Sequence, residues 1–450
     1  LPLLPPTTAR QTPHADLANF DNLETSIIND RHLFTTPSTC IRRCAPTQGR
    51  QYAATPQQSP STGVAAHAGR SGRRRLAFVA MPPEQLPPGP SLRIIDLFAG
   101  PGGLDVGAAW LGIPATGIEL DGNACATRAA AGLHTVRGDV RAYGPEDFPD
   151  ATVLTGGPPC QTFTVAGSGT GRQVLKEIVR KVRALAELPA HSTDAEFTDE
   201  RTGLVLEPMR WAMSALHAGS PYEAIVLEQV PAVLPIWEEF GTVLRAHGYG
   251  VAHGVLRSEE YGVPQTRRRA ILIARLGQMA VTLPPQTHQG FRKGGPAQAA
   301  LGLEPWVSMS AALGRKTKFT VVSNYGSGGD PRNRGQRRCD EPAATVTGKV
   351  MRNRLRLPGG AWSRLSHHEA GVLQTFPRDF PWAGGDIGQQ IGNAIPPRLA
   401  VHVLAHALDI KIESSDLDCV VKGSWAATKN SPLRGRRQQA PKCEMASVTD

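Results

Sequence analysis

The stretch that most narrows the possible folds is Gly156-Gly157-Pro158-Pro159-Cys160-Gln161, which follows the apolar run Ala151-Thr152-Val153-Leu154. Glycine admits dihedrals closed to other residues and proline cannot continue a sheet ladder, so the pattern predicts a buried strand stopped by a rigid loop. Cys160 is the first reactive side chain past the stop. Ligands of an open α/β sheet bind beyond the carboxyl ends of its strands, which makes this thiol a candidate nucleophile. A small buried structural cysteine is the alternative that Pro-Pro-Cys alone leaves open.

The sequence around it alternates strand and helix patterns. Leu92–Ala99 reads as a strand, Gly100-Pro101-Gly102-Gly103 as a tight turn and Leu104–Leu111 as the opening of a helix. A strand, a glycine loop and a helix N-terminus together present backbone N–H groups and a helix dipole to a ligand. The dinucleotide pattern G-x-G-x-x-G fails because Asp105 stands where its third glycine belongs, which argues against a nicotinamide cofactor. Glu119 ends the strand Ala115–Leu120, and Asp139 follows on the next. Each could be a mere helix cap. Two carboxylates on successive strand ends beside a glycine loop favour a ligand containing adenosine, whose ribose hydroxyls such residues accept.

Beyond Cys160, Leu204–Ala218 and Ile236–His247 read as helices, Tyr222–Leu227 and Gly250–Leu256 as strands. Glu228 closes its strand as Cys160 follows its own, so both side chains can meet at one rim. Standing alone it would be an exposed carboxylate before Pro231. Arg267, Arg268 and Arg269 enter the strand Ala270–Ala274, and strand alternation sends Arg267 and Arg269 to one side. The expected fold class is α/β.

With 450 residues the chain can bury a large core in one or two domains. Its seven cysteines are scattered without the paired spacing of a zinc site, which suits a reduced cytoplasm and no metal. No apolar run reaches the ~18 residues of a membrane span. A cytoplasmic, nucleoid-associated location follows, and the net charge of +10 points to an acidic partner, nucleic acid first. Residues 1–90 are rich in Pro, Thr, Ser, Gln and Ala without periodicity and are expected to be disordered. Arg70-Ser71-Gly72-Arg73-Arg74-Arg75 is read as solvated rather than as a nucleic-acid arm, and Leu1 in place of Met as a misassigned or truncated start.

Taken in order, these motifs resemble the DNA cytosine-5 methyltransferase family of prokaryotic type. Asp96-Leu97-Phe98-Ala99-Gly100-Pro101-Gly102-Gly103 matches its cofactor loop, and Gly157-Pro158-Pro159-Cys160-Gln161 with Phe163 and Ala166-Gly167 its nucleophile loop. Glu228 matches the catalytic glutamate, and Gln265, Arg267 and Arg269 the Q-x-R-x-R signature. Arg364 with Glu369, Leu373-Gln374-Thr375-Phe376-Pro377 and Gly392-Asn393-Ala394-Ile395-Pro396-Pro397 match the closing motifs, so that the resemblance runs from about Leu92 to Ala407. It implies a Rossmann-like S-adenosylmethionine-dependent domain with a smaller target-recognition domain. S-adenosyl-L-methionine would be held by Asp96, Phe98, Ala99, Gly100, Gly102, Gly103, Pro159 and Asn393, with Glu119 and Asp139 on its ribose and adenine.

By the same resemblance Cys160 attacks carbon 6 of cytosine, Glu228 serves ring nitrogen 3, Arg269 holds the exocyclic oxygen, and Arg267 supports the nucleophile loop or a backbone phosphate. Double-stranded DNA is the implied substrate, its target base flipped out of the stack. A monomer is expected, with a cognate restriction endonuclease as a candidate companion. A tRNA methyltransferase and a catalytically impaired DNA-binding relative are the alternatives. One departure is Gln229, where the family has an asparagine that braces the nucleophile loop. Another is a longer segment between Gly171 and about Asp199, within which Arg172–Leu188 predicts an amphipathic helix. Arg172, Lys176, Arg180 and Arg183 form its basic face, either solvated or laid along DNA phosphates.

The implied domains are a catalytic and cofactor-binding part at 91–276, target recognition at 277–363, a return to the catalytic domain at 364–410 and a disordered tail at 411–450. Between Leu283 and Leu357 there are 13 Lys and Arg against four Asp and Glu, nearly the net charge of the whole chain. Such residues can read base edges or neutralise phosphates. A closing helix is expected from Pro396 to Leu408.

Overall fold

The computed structural model describes residues 91–159, 176–184, 203–295, 302–326, 334–429 and 433. The expectations for residues 1–90, including Arg70–Arg75, lie outside them, as does Cys160.

The first half of the described chain is β1 (Ile94–Leu97), α1 (Gly103–Trp110), β2 (Ala115–Glu119), α2 (Gly122–Ala131), β3 (His134–Arg137), β4 (Val153–Gly156), α3 (176–184), α4 (Glu207–His217), β5 (Ala224–Gln229), α5 (Leu234–Ala246), β6 (Tyr249–Arg257), β7 (Gln265–Thr266) and β8 (Arg268–Leu276). Seven strands form one sheet in the order β3-β2-β1-β4-β5-β8-β6. β1 to β5 pair in parallel, and β8 runs antiparallel to both β5 and β6. Strand order reverses between β1 and β4, and in open sheets of this kind the crevice at such a switch point takes the ligand.

Alternate side chains of each strand enter different cores. Ile94, Val153, Val226, Ile271 and Ile273 join a cluster with Trp110, Leu399 and Val403 on one face. Ile95, Leu97, Leu154, Ile225, Leu227 and Leu272 join Trp211, Trp237 and Phe240 on the other. Coverage on both faces explains why these strands read as near-continuous apolar runs, and it makes the sheet a rigid base. The fold is therefore Rossmann-like α/β, as the motif pattern implied.

The second half is α6 (Met309–Leu313), β9 (Thr320–Gly326), β10 (Arg334–Arg338), β11 (Ala343–Ala344), β12 (Arg354–Arg356), β13 (Trp362–Ser363), α7 (His367–Leu373), α8 (Ile387–Asn393), α9 (Pro397–Ala407), α10 (Ser414–Lys422) and α11 (Trp425–Thr428). β10-β9-β12-β13 form a second, antiparallel sheet. Its core of Met309, Phe319, Val346 and Leu355 also takes Ala370, Leu373 and Ile391 from α7 and α8. The hydrophobic core thus crosses the boundary expected at 363, so a cut there would expose it.

The tail expected to be disordered from 411 is ordered through its described part. Leu417, Val420, Trp425 and Leu433 sit in the first core, and the Trp425 indole N–H donates to the Ala131 carbonyl at 3.0 Å. Three apolar side chains on two short helices, with Leu433 beyond them, suffice to dock an otherwise polar segment. Among the described residues no helix is long and apolar enough to cross a membrane.

Candidate active site

Three strand ends converge at the switch point. After β1 the chain turns sharply, with positive φ at Phe98 (59°), Gly100 (54°) and Gly102 (100°). Gly103 passes directly over a backbone carbonyl: a Cβ there would lie 2.3 Å from the Ile395 oxygen, so only glycine fits. From the end of β2, the Glu119 carboxylate accepts the Gly100 N–H and the Asp121 N–H, each at 2.7 Å. The carboxylate therefore shapes the loop while standing at its edge. Beside it Leu120 is 62% exposed, and the Cβ side of Gly100 opens on free space.

Asp96 does not face that space. It is buried beneath the loop and accepts from Thr155 Oγ1 at 2.6 Å, while the neighbouring Asp105 is clamped bidentately by fully buried Arg128 at 2.7 and 2.8 Å. Burial, reinforced by the Asp105 charge, pushes the Asp96 carboxyl well above the ordinary range. Its expected contact with the cofactor is corrected to support of the loop from below. Arg128 escaped the sequence reading; the signal for it is one arginine on the inner side of an alanine-rich helix.

Ala99 is buried in the turn, and Phe98 is half-buried. Asp139, after β3, takes both the backbone N–H and the guanidinium of Arg141, which holds its carboxyl below the usual value. Asn393 ends α8, its Oδ1 accepting from Gln389 Nε2 at 2.7 Å.

The catalytic candidates meet at the ends of β4 and β5. Glu228 is 6% exposed, and Arg269 Nε lies 2.8 Å from its Oε1. The Nε–H is not aimed at that oxygen, which has no hydrogen-bond partner among the described residues, so the contact is ionic and the oxygen keeps its accepting capacity. A methyl group built on Gly157 would stand 3.8 Å from Glu228 Oε2, which places the carboxylate against the entrance of the loop that leads to Cys160. Gln229, the next residue, donates from Nε2 to the Pro158 carbonyl at 2.5 Å and accepts the Val230 N–H at 2.5 Å. The longer amide thus reaches the loop that its family counterpart braces. Half-buried Pro159 is the last described residue before Cys160.

Arg267 and Arg269 lie on the buried side of β7 and β8, with Arg268 exposed between them, as alternation predicted. Their tasks differ. Arg267 is 1% exposed and donates to the carbonyls of Val346 (3.0 Å), Gly392 (3.1 Å) and Ala394 (3.0 Å). It ties Val346 to the closing motifs and has no surface to offer a phosphate, which corrects the second of the two roles expected for it. Gln265 does the same from the other side, donating to Leu373 O at 2.9 Å and accepting the Val346 N–H at 2.9 Å. Among the described residues no cluster of His, Cys, Asp or Glu could hold a metal ion.

Comparison with known proteins fits this geometry. The family model described as C-5 cytosine-specific DNA methylase matches residues 92–185 and 196–299, the span that carries the glycine loop, Glu119, the Gly157–Cys160 stretch, Glu228 and Arg269. Over that span the chain is similar to the C-5 cytosine-specific DNA methylases. It is similar to the Type II methyltransferase M1.HphI of Haemophilus parahaemolyticus, 28% identical with 69% of this chain and 85% of the relative covered. It is also similar to the Type II methyltransferase M.AplI of Arthrospira platensis, 26% identical over 72% and 87%. Among solved structures, the S. pombe Dnmt2 methyltransferase is 18% identical with a TM-score of 0.44, covering 70% of this chain and 98% of that one.

Proposed function

We propose that this chain is a C-5 cytosine methylase that modifies carbon 5 of cytosine within a specific sequence of double-stranded DNA, through a covalent adduct of Cys160 with a flipped-out base. The observation that carries the proposal is the buried Glu228–Arg269 pair set against the loop that leads to the cysteine. Cytosine carbon 5 is too weakly nucleophilic to be methylated unaided. A thiolate on Cys160 would add to carbon 6 and make carbon 5 an enamine carbon. Glu228, with Oε2 towards the loop, would act as an acid, giving a proton to ring nitrogen 3 and so offsetting the negative charge that the thiolate's addition brings to the ring. Arg269 would keep the carboxylate oriented and reach the exocyclic oxygen from the same buried side. Loss of the carbon 5 proton and elimination of Cys160 would then free both product and enzyme.

The residues at the switch point suit S-adenosyl-L-methionine. Glu119 would take its ribose hydroxyls, Leu120 offers an uncovered apolar side chain for a purine face, and the turn from Phe98 to Gly103 leaves room above its backbone. When bound, the cofactor supplies the methyl group. The likeness to Type II methyltransferases supports a role beside a restriction endonuclease of the same specificity.

Sequencing of DNA from a host that expresses the chain, by a chemistry that maps 5-methylcytosine, tests the proposal. One recurring methylated motif, absent with Cys160→Ser, is expected. No new methylation from soluble protein would contradict it.

A further inference from the structure

The second sheet has one face in the core and one in solvent. Register sets Arg338, Thr320, Arg356 and Trp362 in one row across β10, β9, β12 and β13, with Gln336, Val322 and Arg354 in the next. Arg338, Gln336, Arg354, Arg356 and Trp362 are all exposed, whereas Leu355, between the two β12 arginines, is fully buried on the other face. This alternation leaves a cationic outer surface.

The side chains on it are already organised. Arg356 Nη2 donates to Gln336 Oε1 at 3.2 Å, which steadies the guanidinium on this exposed face. The Arg354 guanidinium lies 4.4 Å from the centre of the Trp362 ring, itself 47% exposed. Arg338 is neutralised by Asp340, so the charge of the face rests on Arg354 and Arg356. The β12 end of the sheet also adjoins the catalytic side: the turn Val350–Arg352 packs on α7 and α8, and the ties from Arg267 to Val346, Gly392 and Ala394 hold that junction.

Resting on the DNA methylase activity proposed above, we propose that Arg356, held by Gln336 on this outer face, is a specificity-determining residue that donates to the edge of a guanine. Charge complementarity commits it to duplex DNA. A planar fork with two parallel N–H groups matches the O6 and N7 acceptors of guanine, and a hydrogen-bonded neighbour lowers the cost of ordering it. Arg354 on Trp362 stiffens the adjoining position on the same strand pair. A purely electrostatic role would put Arg356 on a phosphate instead, with no preference among sequences.

The test is a methylation map and a salt titration of binding for wild type, Arg356→Lys and Arg356→Ala. A map from wild type first establishes activity and motif; if there is none, the methylase proposal itself fails, and this one with it. Given a wild-type motif, Arg356→Lys keeps the charge but loses the fork. It should relax selectivity at one guanine position by on the order of ten- to a hundredfold, chiefly by lowering methylation at the preferred site, while leaving the log–log salt slope nearly unchanged. Arg356→Ala should relax the same position. An unchanged motif in both variants overturns the proposal. So does a uniform loss of binding at all sites in Arg356→Ala with the slope shallower by about 0.9, the mark of a lost phosphate contact.

Discussion

Gln229 stands where the family that the chain resembles has an asparagine, and its longer side chain still reaches the loop ahead of Cys160. Its amide spans from β5 to the Pro158 carbonyl, immediately ahead of Pro159 and Cys160. Gln229→Ala should lower kcat by at least about tenfold, since misplacing a reacting group by an ångström can cost a hundredfold, with cofactor affinity unchanged. Gln229→Asn should recover part of the loss. Equal losses in kcat and cofactor affinity would mean that the residue merely stabilises the fold. A second residue-scale consequence concerns acid. Burial, with the Arg398 and His288 charges adding to it, holds the His402 imidazole down to about 3, and burial holds His288 to about 4. Both stay neutral in the folded protein while the unfolded chain takes up protons below about pH 6.5. Stability is therefore full above that pH and falls as pH drops from there towards 4. Chemical denaturation at pH 7 and pH 5 should show His402→Phe losing about 2 kcal/mol less than wild type over that interval; an equal loss in both would contradict the assignment.

At the scale of elements, the large sheet was legible because its strands are apolar on both faces and end in glycine, proline or carboxylate punctuation. The rim position of Glu228 followed from the same cues. The small sheet was not legible. Its strands are two to seven residues long, and in Arg354-Leu355-Arg356 a single buried leucine carries the whole period-2 signal. The tail failed for a related reason, since Leu417, Val420 and Trp425 are too few to stand out from a polar background. Trp425→Ala should cost about 3–5 kcal/mol in denaturant unfolding, and a change under about 1 kcal/mol would mean that the tail is not part of the core. The segment after the nucleophile loop divides between its two expectations. Residues 176–184 are helical, with Ile178 and Val182 fully buried in the second core. Arg183 is committed to Glu239 on α5, which removes it from the basic face imagined for DNA and leaves Lys176 and Arg180 exposed. Periodicity located the helix; pairing across elements decided what its cations could do, and spacing carries no record of that.

Across the molecule, a sheet packed on both faces fixes three strand ends, and those ends place the glycine loop, Glu119 and the Gly157–Pro159 approach to Cys160, with the Glu119–Gly100 hydrogen bond joining the first two. The second sheet shares its core with α7 and α8 and is laced to the large sheet by Gln265 and Arg267, so the two parts are expected to keep a defined spacing. Sequence motifs named Gly100, Glu119, Gly157 and Glu228, which lie at neighbouring strand ends. They did not anticipate that Asp96 and Arg267 would work from inside, because a motif records residue identity and not which side of the backbone is buried. The central claim is that Cys160 attacks cytosine at this rim. The direct measurement is covalent capture on duplex DNA that carries 5-fluorocytosine at the mapped target, with S-adenosyl-L-methionine present and the products resolved under denaturing conditions. Fluorine cannot leave carbon 5 as a proton leaves it, so wild type should be trapped as a stable protein–DNA adduct and Cys160→Ser should not. Wild-type protein that methylates the unmodified site but forms no adduct on the fluorinated one would contradict the account.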